Sequence, residues 1–135
     1  MRRWLGVLGI ALLGAAPASA GTQESFLLRT GADLVELCEV SQDDPLEVEA
    51  IHMCHGFGVG TYQTIVAVGA SDKVDDFFCP PNPPLTRNEA FAQFLVWAKL
   101  PQNASYLSES PAALVGRYLI TTYPCPKPAT TGAAQ

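Results

Sequence analysis

His52, Cys54 and His55 stand within one helical turn's worth of sequence and form the densest group of metal-ligating side chains in the chain. Zinc would need four such ligands in a structural site, or three and a water in a catalytic one. On a helix His52 and His55 are three apart and share a side, but no third and fourth ligand follows at a usual spacing. The pair therefore reads as histidines beside a structural cystine, with no metal and no cofactor expected. There is no Cys-x-x-Cys for thiol–disulfide exchange and no Cys-x-x-Cys-His for covalent haem. No serine occupies a Gly-x-Ser-x-Gly elbow, where a nucleophile would be activated. Asp75 and Asp76 are a carboxylate pair of the kind that moves protons, but their surroundings read as a solvated loop. Gly56-x-Gly58-x-Gly60 follows a helix start rather than a strand, which is the wrong setting for a dinucleotide. The residues point away from catalysis, and the chain is expected not to be an enzyme.

The remaining chemistry is cross-linking. Cys38, Cys54, Cys79 and Cys125 follow what reads as an export signal. Arg2 and Arg3 are basic, and the apolar run from Trp4 to Leu13 is shorter than the roughly 20 residues a membrane span needs. Ala18-Ser19-Ala20 has the small-x-small form that signal peptidase reads, so residues 1–20 are a signal peptide cleaved after Ala20. The compact form is bacterial, and the expected destination is the periplasm, where thiols oxidise. The Asn103-Ala104-Ser105 glycosylation sequon carries little weight in that setting.

Without Arg2 and Arg3, six basic residues face thirteen acidic ones, a formal charge of −7. Nucleic acid is thereby excluded as a partner, because phosphate binding needs clustered Lys and Arg. No apolar segment after the signal is long enough for a membrane. Residues 21–126 form one domain, and residues 127–135, rich in Pro, Thr, Gly and Ala, are expected to be a disordered tail.

The elements that must position the cysteines read as helices joined by turn-rich loops. Thr30 and Asp33 form a capping pair for a first helix to about Glu39, with Leu34, Leu37 and Cys38 on one face. Asp44, Pro45 and Glu47 mark the start of a second, running to about Val68. Its three glycines each cost up to about 1 kcal/mol relative to alanine, so Gly56 and Gly60 are expected where another helix packs closely. An acidic loop with Asp72, Asp75 and Asp76 follows, and then the prolines from Pro80 to Pro84, which cannot be helical. Thr86 and Glu89 open a third helix with an apolar stripe of Phe91, Phe94 and Trp97, read as core, and Ser110-Pro111 opens a fourth that ends at Pro124. The expected fold is all-α, a compact bundle of four to five helices.

Four cysteines allow three pairings, and sequence alone does not choose. A hairpin of the first two helices would bring Cys38 near Cys54, which leaves Cys79 for Cys125. In the chain-entropy account the long Cys79–Cys125 loop favours the folded state by roughly 3–4.5 kcal/mol and the short Cys38–Cys54 loop by about 3 kcal/mol.

In order along the chain, Thr30–Cys38, Cys54-His55-Gly56-Phe57-Gly58-Val59-Gly60, Phe78-Cys79-Pro80-Pro81, the helix opened by Thr86, and Ala112–Cys125 resemble the Rap/Tai-type immunity proteins of bacterial type VI secretion systems. The second segment is similar to the family's Cys-x-Gly-aromatic-x-x-Gly. Where the family carries a leucine-histidine-proline-glutamate-like peptide, this chain has Leu100-Pro101-Gln102-Asn103. The resemblance implies a helical, disulfide-bonded periplasmic protein, often a homodimer, that occludes the cleft of a peptidoglycan amidase effector. Asp72, Asp75 and Asp76 are the expected partner-binding rim, steering a basic surface. The alternative is a small helical periplasmic stress or chaperone-like protein with no toxin partner.

Overall fold

The computed structural model describes residues 21–70 and 77–126. A short 3-10 helix (Ser25–Leu27) precedes α1 (Gly31–Cys38) and α2 (Glu47–Gly69); α3 (Arg87–Ala98), a second 3-10 helix (Pro101–Ser108) and α4 (Pro111–Thr122) follow among the described residues. There is no strand among the described residues. The expected signal peptide, the acidic loop with Asp72, Asp75 and Asp76, and the expected tail beyond Pro126 lie outside the described residues.

Helix starts follow local chemistry. Thr30 Oγ1 accepts from Asp33 N at 3.3 Å, and Asp33 Oδ2 accepts from Thr30 N at 2.9 Å. Thr86 and Glu89 repeat this reciprocal cap on α3, and Ser110 Oγ accepts from Ala113 N at 3.3 Å to open α4 on Pro111. Each cap satisfies amides that the first turn leaves unpaired, worth about 1 kcal/mol. The hydrogen bonds from Thr86 also hold the Glu89 carboxyl below its ordinary pKa.

The start of α2 differs from expectation. Its first residue is Glu47, with Leu46 at the cap. Asp44 closes a turn before the helix instead: its carbonyl accepts from Glu47 N at 3.0 Å and its Oδ1 accepts from Leu46 N at 2.8 Å. Pro45 is in that turn rather than in the helix. Past the cap, α2 runs unbroken through all three glycines.

Helix α1 is the shortest of the four α-helices among the described residues and the most central. It touches α2, α3, α4 and both 3-10 helices. Leu34 and Leu37 on α1 and Leu114 on α4 have no exposure at all, and burying each contributes about 1.5–3 kcal/mol. The α1–α4 approach is close because residue 31 is glycine. A Cβ there would lie 2.7 Å from Leu114 Cδ2, and Gly31 N donates to the Glu109 carbonyl at 2.7 Å.

Cys38 is bonded to Cys54 and Cys79 to Cys125, with Cα–Cα distances of 5.2 and 4.8 Å. The first bond lies in the core between α1 and α2, with Cys54 only 1 % exposed. The second ties the start of the proline connector to the chain just past α4, beside a hydrogen bond from Cys79 N to the Tyr123 carbonyl at 2.9 Å. Asn103, in the sequon, is buried, and its amide donates to the Trp97 carbonyl at 2.7 Å. It is a structural bracket between α3 and the second 3-10 helix, inaccessible to a glycan.

Candidate functional site

Helix α2 has apolar residues nearly all round, yet only Ala50, Cys54 and Gly58 are buried along its 23 residues. Its C-terminal half is covered only in part, by Phe78 against Tyr62 and by the core against Ile65. The proline connector after Cys79 has irregular backbone and α3 begins only at Arg87. Prolines lack the amide needed for regular packing, so the connector arches instead of filling the space. The result is an open cavity of about 350 Å³ between α2, the connector, α3 and α4, a size at the lower end for small-ligand pockets.

Gly58, Tyr62, Phe78, Phe91, Phe94 and Tyr118 supply much of its wall, with Pro80, Pro81 and Pro84 along one side. Phe78 is 5 % exposed and meets Tyr62 edge to face, with centroids 5.6 Å apart. A smaller hollow continues from Phe78 and Pro80 toward Ile65, Val66, Gly69 and Phe77. The points where the chain leaves toward the acidic segment 71–76 and returns from it therefore border the same side of the molecule.

Tyr118, Tyr123 and Thr86 are the wall's hydrogen-bonded polar side chains, and Tyr62, Gln63 and Arg87 also line it. Tyr123 donates to Gln93 Oε1 at 2.7 Å, and the Tyr118 and Tyr123 hydroxyls lie 3.1 Å apart. Burial, and then the bond with Tyr123, pushes the Tyr118 phenol above its ordinary pKa, so it stays neutral. At the mouth, the His55 ring stacks on Phe91 with centroids 4.5 Å apart. Burial, followed by the charges of Arg87 and His52, lowers the pKa of His55. A neutral imidazole is thus favoured on an aromatic face. The cavity offers apolar contact and shape; the hydroxyls of Tyr118 and Tyr123 are already engaged with one another and, for Tyr123, with Gln93.

The histidine cluster separates in space. Cys54 is turned into the core and oxidised, His55 lies against Phe91, and His52 is exposed. Among the described residues no group of three or more His, Cys, Asp or Glu could hold a metal ion. No helix among them is long and apolar enough to cross a membrane.

The glycine expectation is corrected. Gly56 and Gly60 face open space, with nothing within 4 Å of a Cβ built on either. The close approach is at Gly58, where a Cβ would lie 2.6 Å from Phe91 Cζ. Residues 56 and 60 lie on the outer face of α2, and residue 58, about 200° round the helix from Gly56, lies on the inner one. Phe91 and Phe94, read from the sequence as core, are partly wall: Phe94 is buried at 4 % and Phe91 is half-buried. The cavity itself was not anticipated. Its one visible signal was the proline run directly after Cys79, which denies regular packing to the residues facing α2.

The family model of Rap1a immunity proteins matches residues 30–125, a span that includes every cysteine and the whole cavity wall. No curated protein and no solved structure matches the chain.

Proposed function

The chain belongs to the Rap1a immunity protein family, and we propose from that premise that it is a non-enzymatic periplasmic inhibitor of a type VI secretion peptidoglycan amidase. The observation that carries this reading is the apolar cavity on the α2 side, which shares Phe78 and Pro80 with a smaller hollow lined by Gly69 and Phe77. Such a cavity is an apolar receptor for a side chain of the effector, and Asp72, Asp75 and Asp76, which lie between Gly69 and Phe77 in sequence, supply the charge that steers a basic partner. Buried apolar anchors carry most of the affinity in protein complexes, while surrounding charges set the association rate. Inhibition is by occlusion: the bound protein covers the effector's cleft and no bond is made or broken. The two disulfides keep the face preorganised, which limits the entropy lost on binding.

Export with cleavage after Ala20 belongs to this reading, and the two disulfides suit an oxidising compartment. A homodimer is part of it as well, and the outer face of α2, smooth at Gly56 and Gly60, is the surface on which two copies could approach closely. The test is inhibition of peptidoglycan cleavage by amidases of the type VI effector class, starting with any encoded next to this protein, with the oxidised mature chain added in equimolar amount. Near-complete inhibition with a 1:1 complex on size exclusion supports the proposal; full amidase activity with no complex refutes it. Light scattering of the free protein decides the dimer.

A further inference from the structure

The first described residues are seated on the domain rather than trailing from it. Gly21 N donates to Asp44 Oδ2 at 3.1 Å, across 23 positions of sequence. Thr22 N donates to Glu36 Oε1 at 3.0 Å, and the Thr22 and Ser25 hydroxyls lie 2.7 Å apart, with Ser25 almost wholly buried. Gly21 packs on Val40 so closely that a Cβ would lie 2.9 Å from Val40 Cγ2. Asp44 uses its second oxygen, at 2.8 Å, on Leu46 N. One carboxylate oxygen is therefore held, by the same turn that precedes α2, against a backbone nitrogen far away in sequence.

That nitrogen is the one that hydrolysis at Ala20–Gly21 would set free. We propose that Asp44 is the built receptor for the α-ammonium of the processed N-terminus, an inference that rests on the reading of Ala18-Ser19-Ala20 as the cleavage motif. In the processing step water adds to the Ala20 carbonyl carbon and the C–N bond breaks. Ala20 departs as a carboxylate, and the Gly21 nitrogen is left as an ammonium. A bond that is charged on the carboxylate side alone thereby becomes an ammonium–carboxylate ion pair, charged on both sides. The Glu36 carboxylate, bonded to the next amide, adds to the negative potential there. Glycine suits position 21 because any side chain would meet Val40. The domain gains its last increment of stability only once the leader is removed.

Three oxidised forms test this: one starting at Gly21, the same form Nα-acetylated, and one retaining Ala20. Acetylation keeps the N–H that reaches Asp44 and removes only the charge. Both altered forms are expected to melt about 3–5 °C below the Gly21 form, and the difference should shrink below about 1 °C in Asp44→Asn, whose side-chain oxygen can still accept from Leu46 N. Equal losses in both backgrounds, or no loss in the parent, overturn the proposal. If Asp44→Asn does not fold, the α-amine of the parent is titrated by NMR. It should titrate above the roughly 7.7–8.0 of free termini; a value within or below that range overturns the pair. Intact mass of the exported protein reports the processing step separately. A terminus other than Gly21 removes the cleavage reading, and with it the pair as a product of processing, whatever the melting curves show.

Discussion

The two sides of α2 are built on opposite principles. Toward α1 and α4 the domain is closed: Leu34, Leu37 and Leu114 are fully buried, Cys54 joins Cys38 inside the core, and Gly31 lets two helix backbones draw together. Toward α3 and the connector the same helix faces a wall of aromatics, from the buried Phe78 and Phe94 to the half-buried Phe91, around an open cavity, and the cystine there ties the connector to the segment just past α4. Both sides are apolar. What differs is whether the neighbours are regular helices that interdigitate or a proline arch that cannot. Composition alone therefore does not separate a residue that stabilises from one that is available to bind; backbone regularity opposite it does.

The contrast makes graded predictions. The largest effect should come from removing the cystine of the open side. Cys79→Ser with Cys125→Ser should cost about 4 kcal/mol for a closed loop of this length, read from the midpoint of urea unfolding. The cavity wall should lose hydrogen-exchange protection more than α1 does. Equal loss on both sides would mean the cavity is not a separately braced region. Next, Leu114→Ala should cost about 3 kcal/mol, the middle of the range for a buried leucine, and leave the effector's affinity unchanged in the surviving folded fraction. Weaker binding at full foldedness would place the interface on the closed side.

Gly58→Ala separates stability from binding. The helix gains about 1 kcal/mol in propensity, while the new methyl must displace the Phe91 ring end. The melting temperature is expected to stay within about 3 °C of the parent, and the dissociation constant for the effector to rise about tenfold, read by calorimetry. A large fall in melting temperature with unchanged affinity would make the cavity wall merely core.

A smaller effect concerns pH. His55 binds its proton less readily when folded than when unfolded. Its contribution is therefore present above the unfolded value near 6.5 and is lost as pH falls through the lowered folded one. Between pH 7 and 5 the parent should lose more stability than His55→Phe, measured by parallel urea curves; parallel losses would show that the stack on Phe91 does not discriminate between charge states. Smallest in equilibrium terms, reversing Asp72, Asp75 and Asp76 to lysine should slow association at low salt and leave dissociation nearly unchanged. An unchanged association rate would remove the acidic segment from the interface.

Much of the fold was legible because it is specified locally. Thr30 with Asp33, Thr86 with Glu89, and Ser110 with Pro111 mark helix starts through contacts three residues long. The hairpin implied by the polar turn after α1 brings Cys38 to Cys54. Legibility failed where a distant group decided the outcome. Asp44 has the form of a helix cap, but its second oxygen is engaged by Gly21 from across the molecule. The three glycines of α2 are alike in sequence, and only the position of Phe91 singles out Gly58. The cavity was hidden for the same reason, since a void is a relation between elements and no residue encodes it.

Helix α2 spans about 35 Å at 1.5 Å per residue, and its buried residues, Ala50, Cys54 and Gly58, all fall in its first half. Mechanically it is a beam clamped at its root by a cystine and propped more lightly beyond Gly58, by Tyr62 on Phe78 and by Ile65 against the core. Force applied at the Gly69 end acts through a long lever about the Gly58–Phe91 contact. A partner that grips that end could therefore widen or narrow the aromatic cavity by shifting these props, with little disturbance of the core at the root.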